Sequence, residues 1–182
     1  MKATGIVRRI DELGRIVVPK EIRRTLRIRE SDPLEIYTNG SGEIILKKYS
    51  PIAELSTFAA EYVQALATAF GHTAAVCDME QVLAASGQAK KTLLEKKLSL
   101  SFDAWLMSKQ VLENTGGEAA VIPVVEGQDI GFTQLIAVPI LLNSDILGAV
   151  LMASSEAGAV MGDAEALALK TAALYLAAQL DS

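Results

Sequence analysis

Gly5-Ile6-Val7-Arg8-Arg9-Ile10-Asp11-Glu12-Leu13-Gly14-Arg15-Ile16-Val17-Val18-Pro19-Lys20-Glu21-Ile22-Arg23-Arg24-Thr25-Leu26 is the stretch whose reading decides the fold of the N-terminal part of the chain. From Thr4 to Ile10 the apolar positions suit a short strand. Asp11-Glu12-Leu13-Gly14 reads as a turn, and Arg15-Ile16-Val17-Val18 as a β-branched strand that Pro19 stops. Proline suits the first position of a short helix, Lys20 to Leu26, with Ile22 and Leu26 facing inward at i, i+4. Working outward, Leu34-Glu35-Ile36-Tyr37 and Glu43-Ile44-Ile45-Leu46-Lys47 flank Asn39-Gly40-Ser41-Gly42, a strong hairpin signal. Four short strands and one short helix enclose too little surface to stand alone without a metal or a disulfide. Residues 1–48 hold no Cys and no His. Size and pattern together predict an obligate dimer with a shared core.

Ser50-Pro51 marks the boundary between a head, residues 1–50, and a second domain, residues 51–182. Leu55, Phe58, Tyr62, Leu66 and Phe70 recur at helical spacing, and Gly71 closes that helix. Strands are expected at His72 to Cys77 and Gln81 to Ser86, a polar helical stretch from Lys90 to Leu112, and a strand from Glu118 to Val125. A long hairpin around Asn143-Ser144-Asp145 and a final helix from Ala164 to Leu180 complete an α+β domain with an antiparallel sheet and flanking helices. The final helix is apolar on two faces, Leu167/Thr171/Leu174/Ala178 and Leu169/Leu176/Leu180. A helix on a sheet needs one apolar stripe, so the second face predicts self-association of this domain. The competing expectation is that the Lys90 to Leu112 segment covers it.

Net charge is −5, yet it is unevenly distributed. Residues 1–48 carry eleven Lys and Arg against seven Asp and Glu, a balance of +4; residues 49–182 carry six against fifteen, a balance of −9. A basic contact surface joined to an acidic body suits a nucleic-acid-binding head. His72 and Cys77 are the single histidine and the single cysteine, too few for a zinc site or a Cys/His nucleophilic pair within one chain. No glycine loop of phosphate-cradling spacing precedes a helix. An enzyme is therefore not expected, and no cofactor or metal. No secretory signal or membrane span is read, and the lone cysteine fits a reducing compartment, so a cytoplasmic, nucleoid-associated location is expected.

The arginines carry the functional reading. Arg8 lies mid-strand, Arg15 follows the Gly14 turn, and Arg23 and Arg24 lie on the helix away from its expected inward positions. Guanidinium groups grip phosphates or guanine edges bidentately, and a symmetric dimer would present eight of them to double-stranded DNA.

Residues 5–26, with Leu34-Glu35-Ile36-Tyr37 and Ile44-Ile45-Leu46-Lys47-Lys48-Tyr49, closely resemble the transition-state regulators of spore-forming bacteria, the AbrB-like family. The resemblance implies a swapped-hairpin β-barrel dimer whose DNA contacts fall on Arg8, Arg15, Arg23 and Arg24. One departure is Ser31, where relatives often carry glycine before Asp32, in a turn away from these arginines. With the GAF-like order of elements that follows, the whole chain resembles a two-domain type of this family. That implies a regulator activating or repressing late sporulation genes and assembling as a tetramer, a dimer of dimers. GAF domains often bind small molecules; the pattern for cyclic nucleotides is not recognisable, so any ligand is unidentified and its pocket unknown. The alternative reading is the antitoxin of a toxin–antitoxin pair, which shares the barrel. Such antitoxins usually end in a short disordered tail, unlike the apolar, periodic residues 51–182.

Overall fold

The computed structural model describes residues 5–115, 121–127, 130–156 and 158–181. It divides into two units, one ending at Tyr49 and the other beginning at Ser50.

In the first unit Pro19 occupies the N-cap of helix α1 (Lys20–Thr25), one place before the expected first helical position. Arg27 ends the helix in a left-handed conformation, φ 52°. The Ile28 amide then donates to the Arg23 carbonyl at 2.7 Å and the Arg27 amide to Arg24 at 3.3 Å, a Schellman closure. Strands β1 (Leu34–Thr38) and β2 (Ile44–Lys48) form the expected hairpin, with Ile36 opposite Leu46. Its loop is set by Asn39, whose Oδ1 accepts the Ser41 and Glu43 amides, and by Gly42 at φ 77°.

The two strands expected at Thr4 to Ile10 and Arg15 to Val18 do not form. A strand needs a neighbouring edge, and in a single chain β1 and β2 pair only with each other. The apolar residues of these runs consequently face solvent: Val7 is 89 % exposed and Val17 73 %. Among the described residues up to Tyr49, Pro19 alone is buried.

The second unit is a five-stranded antiparallel sheet in the order β4-β3-β7-β6-β5. The strands are β3 (Thr73–Cys77), β4 (Val82–Ser86), β5 (Leu112–Asn114), β6 (Gln134–Leu142) and β7 (Asp145–Ser154). The β6–β7 connection is a two-residue turn, Asn143-Ser144, both at positive φ, the geometry that matches strand twist. Gly148 is required by close approach: a Cβ there would lie 2.0 Å from the Cys77 carbonyl oxygen.

One face of the sheet carries α3 (Ser56–Phe70) and α6 (Asp163–Leu180) over Val76, Ile136, Val150 and Met152. Gly71 ends α3 at φ 73° as expected. Before α3, Pro51–Glu54 forms the short helix α2, and the Ser50 hydroxyl donates to Asp78 Oδ2 at 3.0 Å instead of capping it. The α3 stripe is rotated from the expected one. Ala59, Val63 and Leu66 face the sheet, while Phe58 is 50 % exposed and Tyr62 half-buried against Tyr175. The smaller alanine and valine win the inner face because backbone and sheet approach closely there.

The other face is covered by α4 (Lys90–Leu93), α5 (Leu100–Leu106) and residues 121–132, with Leu93, Leu98, Phe102 and Leu106 fully buried. The expected single helical stretch from Lys90 to Leu112 is thus two short helices. Between them Glu95 turns at φ 60° and the chain pairs along the β4 edge, with Glu95 N to Val82 O and Val82 N to Lys96 O, both 2.9 Å. Ser99 then restarts a helix as N-cap, its Oγ accepting the Phe102 amide at 3.0 Å. The strand expected at Glu118 to Val125 lies partly outside the described residues, and Val121–Val125 shows only an isolated bridge, Val125 to Leu98. The fifth strand is instead β5, whose Leu112 pairs with Ala137.

Candidate nucleic-acid interface

The site begins with a turn. Asp11 and Arg15 face each other through an Asp11 N to Arg15 O bond of 3.0 Å, and the Gly14 amide donates to Asp11 O at 3.0 Å with Gly14 at φ 77°. The Asp11 carboxylate fills the turn: Oδ1 accepts the Arg15 amide at 2.8 Å and the Leu13 amide at 3.0 Å, while Oδ2 receives Arg15 Nε at 2.8 Å. The Arg15 backbone N–H, followed by its guanidinium, lowers the Asp11 pKa, so the carboxylate stays charged well below neutrality. Arg15 remains 71 % exposed, with its Nε held and its terminal nitrogens directed outward. The site therefore contains a positioning residue, Asp11, that the arginine pattern alone does not reveal. Its signal is an aspartate opening a glycine turn, four residues before an arginine.

Arg8 and Arg15 lie on the two arms of this turn, both exposed; Arg23 and Arg24 lie on α1. Arg24 is exposed as expected. Arg23 is half-buried, with its Nε enclosed and without a hydrogen-bond partner, so only part of its fork faces outward. The hairpin adds Lys47, whose ammonium sits 4.9 Å from the centre of the Tyr37 ring.

The residues that would suit other chemistry are placed differently. Cys77 is fully buried in β3, its thiol donates to the Ala149 carbonyl at 3.6 Å, and burial pushes its pKa up to about 12. It is a thiol at neutral pH, not a nucleophile. Among the described residues no group of three His, Cys, Asp or Glu is placed to hold a metal ion. No helix among them is long and apolar enough to cross a membrane. A cleft of about 750 Å³ opens on the α5 side of the sheet, lined by Ser101, Ile122, Val124, Glu126, Ile130 and Phe132 among others.

Residues 54–181 match the family model of the stage V sporulation protein T C-terminal domain, described as a transcription factor. Over its whole length the chain is 48 % identical to stage V sporulation protein T of Bacillus subtilis, covering 99 % of that protein. The chain belongs to this family of transcription factors. Its head is also 65 % identical, over 51 residues, to the transition state regulatory protein AbrB of Bacillus subtilis, a match spanning 28 % of this chain and 52 % of that one. The MazE antitoxin model matches residues 7–54, so the head is of a type shared with antitoxins, while the full-length match places the chain with the regulators. The sheet domain resembles the GAF domain of an Acinetobacter phosphoenolpyruvate-protein phosphotransferase, with a TM-score of 0.55 at 12 % identity over 70 % of this chain and 82 % of that one. The family's second domain therefore has the GAF fold.

Proposed function

We propose that the chain is a sequence-specific regulator that activates some late sporulation genes and represses others. In this reading a dimeric head, residues 1–50, grips double-stranded DNA through Arg8, Arg15, Arg23 and Arg24. The Asp11–Arg15 turn is the observation that carries it. A guanidinium held at Nε by a neighbouring carboxylate, with its remaining donors open, loses less freedom when it meets a guanine edge or a phosphate. Pairing of two heads is supported by the exposed Val7, Ile10, Val17, Ile36 and Ile44, which a second copy would bury. Such a protein works at the nucleoid, in the cytoplasm, as a regulator rather than an enzyme, and needs no cofactor for DNA binding.

The second domain completes a dimer of dimers in this reading. The α6 residues Leu169 and Leu176 are fully buried on the sheet, whereas Leu167 and Leu174 are 65 % and 73 % exposed, with Phe58 of α3 also on the outside. The segment from Lys90 to Leu112 packs on the opposite face of the sheet and leaves this apolar surface open. The cleft beside α5 is where a small molecule would act; its lining is mostly branched apolar side chains with a few hydroxyl and carboxylate groups.

The deciding experiment is Arg15→Ala in the full chain, titrated against genomic fragments that the wild-type protein occupies during spore development. Removing one bidentate guanidinium grip from each of two protomers, at about 1–3 kcal/mol apiece, predicts an affinity at least about tenfold weaker with an unchanged circular dichroism spectrum. Wild-type affinity at moderate salt would overturn the assignment.

A further inference from the structure

Lys90, Lys91, Lys96 and Lys97 stand within eight residues, and they are four of the six basic residues after Lys48. With Glu95 the segment 90–97 has a balance of +3; the rest of 49–182 has a balance of −12. All four lysines are exposed, and none of their side chains has a hydrogen bond or an ion pair among the described residues. Leu93 and Leu98, both fully buried, pin the segment to the sheet, so its charged side is held outward on a fixed backbone. Glu80 and Glu126 are the other exposed carboxylates close by, next to Lys97 through the Leu98 N to Glu80 O and Glu126 N to Lys97 O bonds.

The fold does not account for these charges. Lysines often blunt an exposed sheet edge, and β4 is an edge strand. Here that edge is already closed by backbone: Val82 exchanges bonds with Glu95 and Lys96, and Glu80 O receives Leu98 N. Solubility does not require them either, because a strongly negative domain is already kept apart by charge.

We propose that segment 90–97 is a second, sequence-independent contact to the phosphates of DNA beside the operator. The partner is chosen by circumstance as well as charge. The second unit begins at Ser50, directly after Tyr49, so DNA held by the head keeps this unit at high effective concentration with no intervening linker. An acidic body beside a polyanion turns its one basic patch inward, and the attraction acts within a Debye length of about 8 Å. The inference rests on DNA binding by the head.

The test compares the full-length protein with its K90Q/K91Q/K96Q/K97Q variant on a genomic fragment recovered by occupancy mapping. One duplex is trimmed to the operator, and the other extends it by about two helical turns on each side. At roughly 0.9 per phosphate released, the variant's salt slope on the long duplex becomes shallower by about 1 to 3, and its affinity there falls by about tenfold near physiological salt. On the trimmed duplex the two proteins bind alike. The fourfold Lys→Arg variant retains the wild-type slope, which separates an effect of charge from an effect on the fold. Equal slopes and affinities for wild type and glutamine variant on both duplexes overturn the proposal and leave the patch to an acidic protein partner. Failure of the head reading has a different signature, since Arg15→Ala would then bind both duplexes as the wild type does.

Discussion

Up to Tyr49 the described chain buries Pro19 and nothing else, whereas beyond Ser50 each face of the sheet has its own closed core, one around Ile136 and Leu169 and the other around Phe102 and Leu151. Both regions are rich in branched apolar residues. The difference lies in where those residues find partners. In the second domain α3, α6, α4 and α5 come from the same chain as the sheet they cover. In the head the residues from Ile6 to Val17 have no edge to pair with, so a pattern that reads as a core faces water. A fold that is complete within one chain and a fold written for two can look alike in composition; the burial of one chain tells them apart.

The sharpest way to break this comparison is a charge at the head's exposed apolar surface. Val17→Asp places a carboxylate where the single chain shows 73 % exposure. In an isolated head this substitution would be near neutral, within about 0.5 kcal/mol. With Val17 buried between two copies, an unpaired buried charge costs several kcal/mol. The expected outcome is loss of head dimerisation in sedimentation velocity and loss of DNA binding by more than about a hundredfold, while the thermal transition of the second domain is retained. A variant that still dimerises and binds DNA normally would show that the head buries its apolar residues in some other way.

A smaller effect is expected from the same change on the outer face of α6. Leu174→Asp lies on a helix whose inner face, Leu169, Ala173 and Leu176, is already packed. The domain therefore keeps its stability within about 1 kcal/mol. Analytical ultracentrifugation is expected to show dimers in place of tetramers, with DNA affinity lowered but not abolished. A tetramer surviving at micromolar concentration would remove this face from the assembly.

How far these features are legible from residues follows the same division. The β6–β7 hairpin, the Asn39 loop, the Gly71 helix stop and the second apolar face of α6 are local or periodic signals, and they are readable. The head's strand patterns predict strands where none forms in one chain, because sequence pattern records the pairing a segment is built for and not whether an edge is present. The helical reading across Lys90 to Leu112 fails at Glu95, where tertiary pairing with the β4 edge overrides a stretch of good helix formers. The rotation of the α3 stripe has another cause: the large side chains mark one face as inward, but close packing selects Ala59 and Val63. Among the arginines, the partial burial of Arg23 depends on how α1 sits and has no local signal, whereas Asp11 has one in its spacing to Arg15.

The smallest effect concerns the one departure from the family pattern. Ser31 is held at φ 68°, in a turn closed by Asp32 N to Arg29 O at 3.3 Å and by Arg29 N to Asp32 Oδ2 at 2.7 Å. Glycine adopts that backbone without the Cβ clash that costs an ordinary residue roughly 1–2 kcal/mol, which explains why relatives favour glycine before the aspartate. Against this gain stands the greater freedom glycine has when unfolded, about 0.5–1 kcal/mol. The two terms leave Ser31→Gly more stable by up to about 1 kcal/mol, read as a higher denaturant midpoint at unchanged slope. Lys48 also reaches Asp32 Oδ2 at 3.8 Å, so the turn is tied to β2 by an ion pair that the substitution does not touch. Operator affinity should accordingly stay within about twofold, because none of the four assigned arginines lies in this turn. A destabilised variant would show that the serine hydroxyl has a partner worth more than the backbone strain, and a change in DNA binding would bring the 29–32 turn into the interface.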